Sequence, residues 1–148
     1  KKGLEYKEKA LEIRREVFGE RNAATASSYN NVGISYWKLE DRKKGLEYKE
    51  KALEIRREVL GERNADTADS YNNVGISYWE LGEVEKAIDY IKRALDIYMV
   101  MLGNEHPMTQ ETLELLNLLE SFQELQSSQC RKQTVFQRFF SKWKKLRK

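Results

Sequence analysis

One cysteine, one histidine and one proline are all that this 148-residue chain holds of three residue types on which many functions depend. The lone thiol, Cys130, cannot close an internal disulfide, and such usage fits a reducing compartment, so a cytoplasmic location is expected. A single histidine, His106, with one cysteine falls short of the ligand set of a zinc site. It also falls short of a Cys/His nucleophile pair with its orienting third group. No glycine-rich loop has phosphate-binding spacing. The expectation is therefore a non-enzyme without metal or cofactor, and His106 reads as an ordinary loop residue. No stretch reaches the roughly 20 apolar residues of a membrane-spanning helix.

Charge is abundant, at 34% of residues, and unevenly placed. From Arg131 to Lys148 there are eight basic residues and no acidic one, which leaves a mildly acidic body ahead of a strongly basic tail. Glu, Lys, Arg, Leu and Ala dominate and breakers are few, a composition of helices rather than sheets. Pairs such as Glu47 and Lys51, one turn apart, serve helix stability and solubility.

What the chain has most of is repetition. The segment YNNVGISYW occurs at Tyr29 to Trp37 and again at Tyr71 to Trp79, and residues 1–42 match residues 43–84 at 35 of 42 positions. A constant period of this length marks a stacked architecture, in which one unit cannot bury its apolar face alone. Lys1 falls in the middle of a repeat, so earlier repeats are expected in a longer protein.

Within each period, apolar residues recur at helical spacing. Leu4, Leu11, Ile13, Val17 and Phe18 give a first helix over about 2–18, ended by Gly19, with Gly61 and Gly103 in the same place in later copies. Thr25 and Thr67 are the expected N-caps of a second helix running to about Leu39 or Leu81. Gly33 and Gly75 fall inside that helix, where glycine is costly, so a close helix approach is expected there. Short links at Leu39 to Arg42 and Leu81 to Val84 make antiparallel hairpins. A third copy diverges, with a last helix at about residues 110–126. After a break at residues 127–130, Val135, Phe136, Phe139, Phe140, Trp143 and Leu146 predict one more helix, amphipathic and basic.

The hairpin resembles the tetratricopeptide repeat, in the 42-residue form found in kinesin light chains. The family's aromatic falls on Tyr71, its aliphatic and glycine on Val74 and Gly75, and its tyrosine on Tyr78. Its small residues fall on Ala87 and Ala94, with Ile91 between. The preceding unit matches at Tyr29, Val32, Gly33, Tyr36 and Ala52, but carries Gly45 and Lys49 where the next has Ala87 and Ile91. The long-form link survives whole at Gly103, His106, Pro107 and Thr109. The resemblance implies an all-α, right-handed α-solenoid over residues 1–126 with a degenerate third copy; the tail lies outside it, and its own spacing predicts the basic helix of the segment 127–148.

It also implies a protein-binding scaffold that takes an extended peptide on the concave face lined by the first helices. There, asparagine at Asn30 and Asn72 would hold the ligand main chain, an amide being able both to donate and to accept. Asn31 and Asn73 stand beside them. Ile34, Trp37 and Lys38, with Ile76, Trp79 and Glu80, complete the expected peptide-binding set. The tryptophans fit a binding surface and the seam between hairpins equally well. Lys38/Glu80 is one of the few places where the copies differ in charge, and so a place for specificity.

For the tail, one reading is a cap over the last hairpin; the others are a membrane surface or a calmodulin-like partner. Nucleic acid is not an expected ligand. Two further readings stay open: a regulatory or sensing arm of a larger enzyme or receptor, and self-association through near-identical repeats.

Overall fold

In a computed structural model, residues 1–128 and 132–147 are described; Cys130 and the side chain of Val135 lie outside this set. Among the described residues helix is the one kind of regular structure, joined by short links: α1 Lys2–Phe18, α2 Ala23–Lys38, α3 Arg42–Leu60, α4 Ala65–Glu80, α5 Val84–Met101, α6 Pro107–Ser127 and α7 Lys132–Leu146. Helices α2 and α3 form one hairpin and α4 and α5 the next. Helix α1 stacks ahead of them, and α6 follows α5.

The helix ends show how the repeat is punctuated. Gly19 and Gly61 follow α1 and α3 at φ 83° and 82°, a positive φ that favours glycine. Their ψ values of 169° and 171° extend the chain rather than close it in a left-handed helical turn. The caps of α2 and α4 are Asn22 and Asn64, not the threonines expected from sequence. Each asparagine accepts from the backbone N–H two residues on, at 2.8 Å. Thr25 and Thr67 lie inside the first turn, buried, and donate instead to the carbonyls of Gly19 and Gly61 at 2.8 Å. They tie the link down from within. His106 plays the asparagine's part at α6, where its Nδ1 accepts from the N–H of Met108 at 3.1 Å and Pro107 occupies the first helical turn.

Packing repeats with the sequence. The hydroxyls of Tyr36 and Tyr78 both donate to a glutamate of the preceding unit, Glu8 and Glu50, at 2.5 Å. Tyr29 and Tyr71 likewise reach Glu20 and Glu62. Burial and these carboxylates push the tyrosine hydroxyls upward, Tyr29 and Tyr36 to about 12.

Gly33 lets two backbones meet. A Cβ on it would lie 2.8 Å from the carbonyl oxygen of Gly45. At Gly75 the near neighbour is the Ile91 side chain, also at 2.8 Å. Three apolar clusters follow along the stack: one across α1, α2 and α3, one centred on α3, α4 and α5, and one joining α4, α5, α6 and α7.

The two ends differ. On α1, Tyr6 is 72% exposed and Ile13 59%, whereas their copies on α3 are covered: Tyr48 stacks against Tyr29 and Tyr36 of α2, and Ile55 is 2% exposed. At the other end α7 packs on α6, but not as the second helix of a hairpin. Leu113 of α6 is 38% exposed, while its copy Tyr71 on α4, which faces α5, is 1% exposed.

Candidate functional site

Asn72, Ile76, Trp79 and Glu80 are spaced four, three and one residues apart, so they form one stripe along α4, and Asn30, Ile34, Trp37 and Lys38 form the same stripe on α2. The peptide-binding residues expected from sequence are thus brought onto matching faces of adjacent first helices. Asn30 is half-buried and its Oδ1 receives the Asn73 amide at a long 3.5 Å. Asn31 is exposed. Asn72 is half-buried, with an Oδ1 shielded from solvent and without a hydrogen-bond partner.

The two tryptophans part company. Trp37 is half-buried at the seam between hairpins, and its Nε1 donates to the Glu80 carboxylate. Lys49 Nζ lies 4.5 Å from the centre of its ring, and the Arg42 guanidinium 5.7 Å. Trp79 is 0% exposed. It meets Phe122 of α6 edge-on at 4.9 Å and Phe136 of α7 at 5.4 Å. In this packing Trp79 is core, so it does not present its ring to a ligand. Ile76 is packed against the same cluster.

The charge pair is also unequal. Lys38 is exposed. Glu80 is drawn inward: one oxygen takes the Trp37 N–H and the other lies 3.7 Å from Arg147 of α7.

Beneath this lies a residue whose role sequence reasoning missed. Lys49 stands at the position that Ile91 takes in the next copy. The structure buries it to 8% exposure, with Nζ donating to Ser77 Oγ at 2.8 Å. Its long stem lines the packed interior while the ammonium finds a hydroxyl and an aromatic face. Burial pushes the amine down to about 8, Glu80 opposes that shift, and Arg147 adds to it. The lysine had been noticed in the sequence, but its partners lie on other units.

Helix α7 lies along the stripe. Its Phe136, Phe139, Phe140 and Trp143 recur at helical spacing and meet α4 and α6. Trp143 is buried, with a shielded Nε1 that has no partner. A cleft of about 320 Å³ remains between α4, α6 and α7, with Asn72, Ile76, Glu111, Glu114, Trp143 and Arg147 in its wall. Phe122 and Trp143 were missing from the expected site; the tail's aromatic periodicity was the available signal for the second. Among the described residues no group of His, Cys, Asp and Glu side chains is placed to hold a metal ion. Among them, too, no helix is long and apolar enough to cross a membrane.

Comparison with known proteins gives this arrangement its relatives. A family model for the tetratricopeptide repeat matches residues 25–99. No curated protein matches the chain. Among solved structures, BtubC (BKLC) from P. vanneervenii has a TM-score of 0.69 at 23% identity, covering 97% of this chain and 55% of that one. This chain therefore spans about half the length of that protein. A Podosopora anserina kinesin-light-chain candidate with nearly identical TPR-like repeats has a TM-score of 0.73 at 14% identity, over 99% of this chain and 86% of that one. A point variant of that protein has a TM-score of 0.73 at 14% identity, over 98% and 85%. At such identities the likeness shows the fold, a solenoid of stacked helical hairpins.

Proposed function

This chain belongs to the tetratricopeptide-repeat family, whose repeats are generally protein-interaction scaffolds, and on that premise we propose that it captures an extended peptide segment of a partner protein. The ligand lies along the stripe of α2 and its junction with α4. Asn30, with Asn72 behind it, bonds the ligand main chain. Ile34 and Trp37 supply apolar contact area. Lys38 and Arg42, both exposed at this rim, favour a segment that carries a carboxylate.

One observation carries this reading: the α2 stripe offers a half-exposed tryptophan beside amide and cationic groups, whereas the matching stripe on α4 is covered by α7. Tryptophan in such a setting combines a large apolar area with low conformational entropy, which suits a binding hot spot. Trp79 and Ile76 can join the ligand face only when α7 is away from it.

Peptide display against the full chain would select a binding segment. The double variant Asn30→Leu/Asn72→Leu should then lose at least about tenfold in affinity, the worth of one or two main-chain hydrogen bonds. Unchanged affinity in a folded double variant would sink the proposal.

A further inference from the structure

The position of α7 says more than that the tail is docked. A helix that continued the solenoid would pack on Leu113 of α6, as α5 packs on the matching residue Tyr71 of α4. Leu113 is left exposed. Instead α7 lies over Ile76, Trp79 and Glu80 of α4 and over Leu118 and Ser121 of α6. It sits on the repeats in the place of a ligand.

We propose that the stripe shared by α4 and α6 is a receptor for an amphipathic helix with an aromatic face and a basic end, and that α7 is its removable resident. Phe136 and Phe139 seat on Trp79 and Phe122 with ring centres 5.4 to 5.8 Å apart, and Phe140 and Trp143 extend the same aromatic face along α7 and pack on the same apolar cluster. Beyond them Arg147 reaches Glu80, and Glu111 and Glu114 stand in the wall of the adjoining cleft. A basic helix end is thus matched by carboxylates. The first repeat has Lys38 in place of Glu80, so it would repel the same end. Glu80 is the residue that selects this half of the surface for a basic helix.

The fit is incomplete, and this makes α7 displaceable. The indole nitrogens of Trp79 and Trp143 and the Oδ1 of Asn72 are all shielded without a partner, and all three side chains belong to this interface or to the cleft beside it. An unpaired buried polar group weakens the contact that buries it. Leu146, at the end of the helix, is 47% exposed. A partner helix of the same pattern that also carries an amide or hydroxyl group beside Asn72 would satisfy what α7 leaves unpaired, and so replace it.

This inference rests on reading the stripe as the ligand side of the repeats, but it assigns the second half a helix rather than an extended segment. The test uses a fluorescein-labelled synthetic peptide of residues 132–147, titrated by fluorescence anisotropy onto the full chain and onto full-length Phe139→Ser/Trp143→Ser. The variant, with its own α7 released, should bind the probe at least about tenfold more tightly than the unchanged chain. Adding Glu80→Lys to the variant should remove that gain. Equal binding to both proteins, or no binding to a folded variant, would overturn the proposal. Should the double variant fail to fold, Arg147→Glu leaves the ring-to-ring contacts of α7 in place, removes its ion pair with Glu80 and the guanidinium over the Trp143 ring, and should still bind the probe more tightly than the unchanged chain. No gain there overturns the proposal in the same way. Either failure leaves peptide capture around Trp37 standing, because Asn30→Leu alone, on the stripe that α7 leaves open, tests that separately.

Discussion

The hairpins α2–α3 and α4–α5 share most of their sequence, yet they hold the same tryptophan in opposite situations. Trp37 is half-buried, bonded to Glu80 and flanked by two cations, while Trp79 is sealed against α6 and α7. The second helix of each hairpin also differs beside the indole: Gly45 and Lys49 of α3 are Ala87 and Ile91 on α5. Where the copy is polar inside, the stripe above stays open. Where it is apolar, α6 and α7 close over it. A repeat therefore takes its job from its neighbours as much as from its own residues.

The sharpest way to break this comparison is to truncate both tryptophans. Trp79→Ala should cost about 3–5 kcal/mol, as large cavities in a core do, and Trp37→Ala about 1–2 kcal/mol. Urea unfolding of each variant measures both, and equal losses would erase the distinction between them.

The two glycines come next. Gly33→Ala sets a methyl against the backbone carbonyl of Gly45, which cannot step aside, so a loss of about 2 kcal/mol is expected. At Gly75 the obstacles are Cδ1 and Cγ1 of the buried Ile91 and the Cβ of Tyr90, side-chain atoms that can shift more readily than a carbonyl, and alanine's better helix propensity of about 1 kcal/mol offsets part of the crowding. Gly75→Ala should lower the melting temperature less than Gly33→Ala does.

Lys49→Met should raise stability by about 1–2 kcal/mol, because methionine fills the same space with no charge to desolvate. Ser77 keeps its bond to the Asn73 carbonyl, at 3.0 Å, when the lysine is gone. The pH dependence has a definite sign. With the folded amine at about 8 and the free one at 10.5, the unfolded chain binds the extra proton between those values. The cost of burial is complete below pH 8 and fades as pH rises toward 10.5. From about pH 7.5 to 9.5 the unchanged protein should gain stability relative to Lys49→Met, in a range that stops short of the tyrosines. A flat difference across that range would show the lysine to be solvated.

The smallest effect concerns the turn between the two helices of each hairpin. Glu40 has φ 65°, where the second copy has Gly82 at φ 82°. Glu40→Gly should stabilise the first hairpin by about 0.5–1 kcal/mol, the relief of a left-handed residue less the entropy glycine adds to the unfolded chain. Thermal melts in parallel with Gly82→Glu, which should lose a similar amount, would show both sides of the exchange.

Much of the fold was legible because its determinants are local. Apolar spacing and the glycines at 19, 61 and 103 placed α1 through α5 within a few residues. The N-caps were misplaced because Asn22 and Thr25 are both capping residues three positions apart, and only the hydrogen bonds decide between them. The candidate site was legible as a stripe, since Asn30, Ile34 and Trp37 follow helical spacing. Which copy of that stripe stays open was not legible. That depends on Lys49, Phe122, Trp143 and Arg147, which are brought together from α3, α6 and α7.

The sequence by itself determined that residues 1–84 repeat one helical unit, because a period of 42 with fixed apolar positions returns the same packing face in each copy. It also determined that the tail is an aromatic, basic helix. The tertiary structure alone decided that this helix lies on the α4–α6 stripe rather than continuing the stack, and so separated Trp79 as core from Trp37 as surface. Side-chain spacing records which face of a helix is apolar. What comes to cover that face is set by shape and charge contributed from distant parts of the chain.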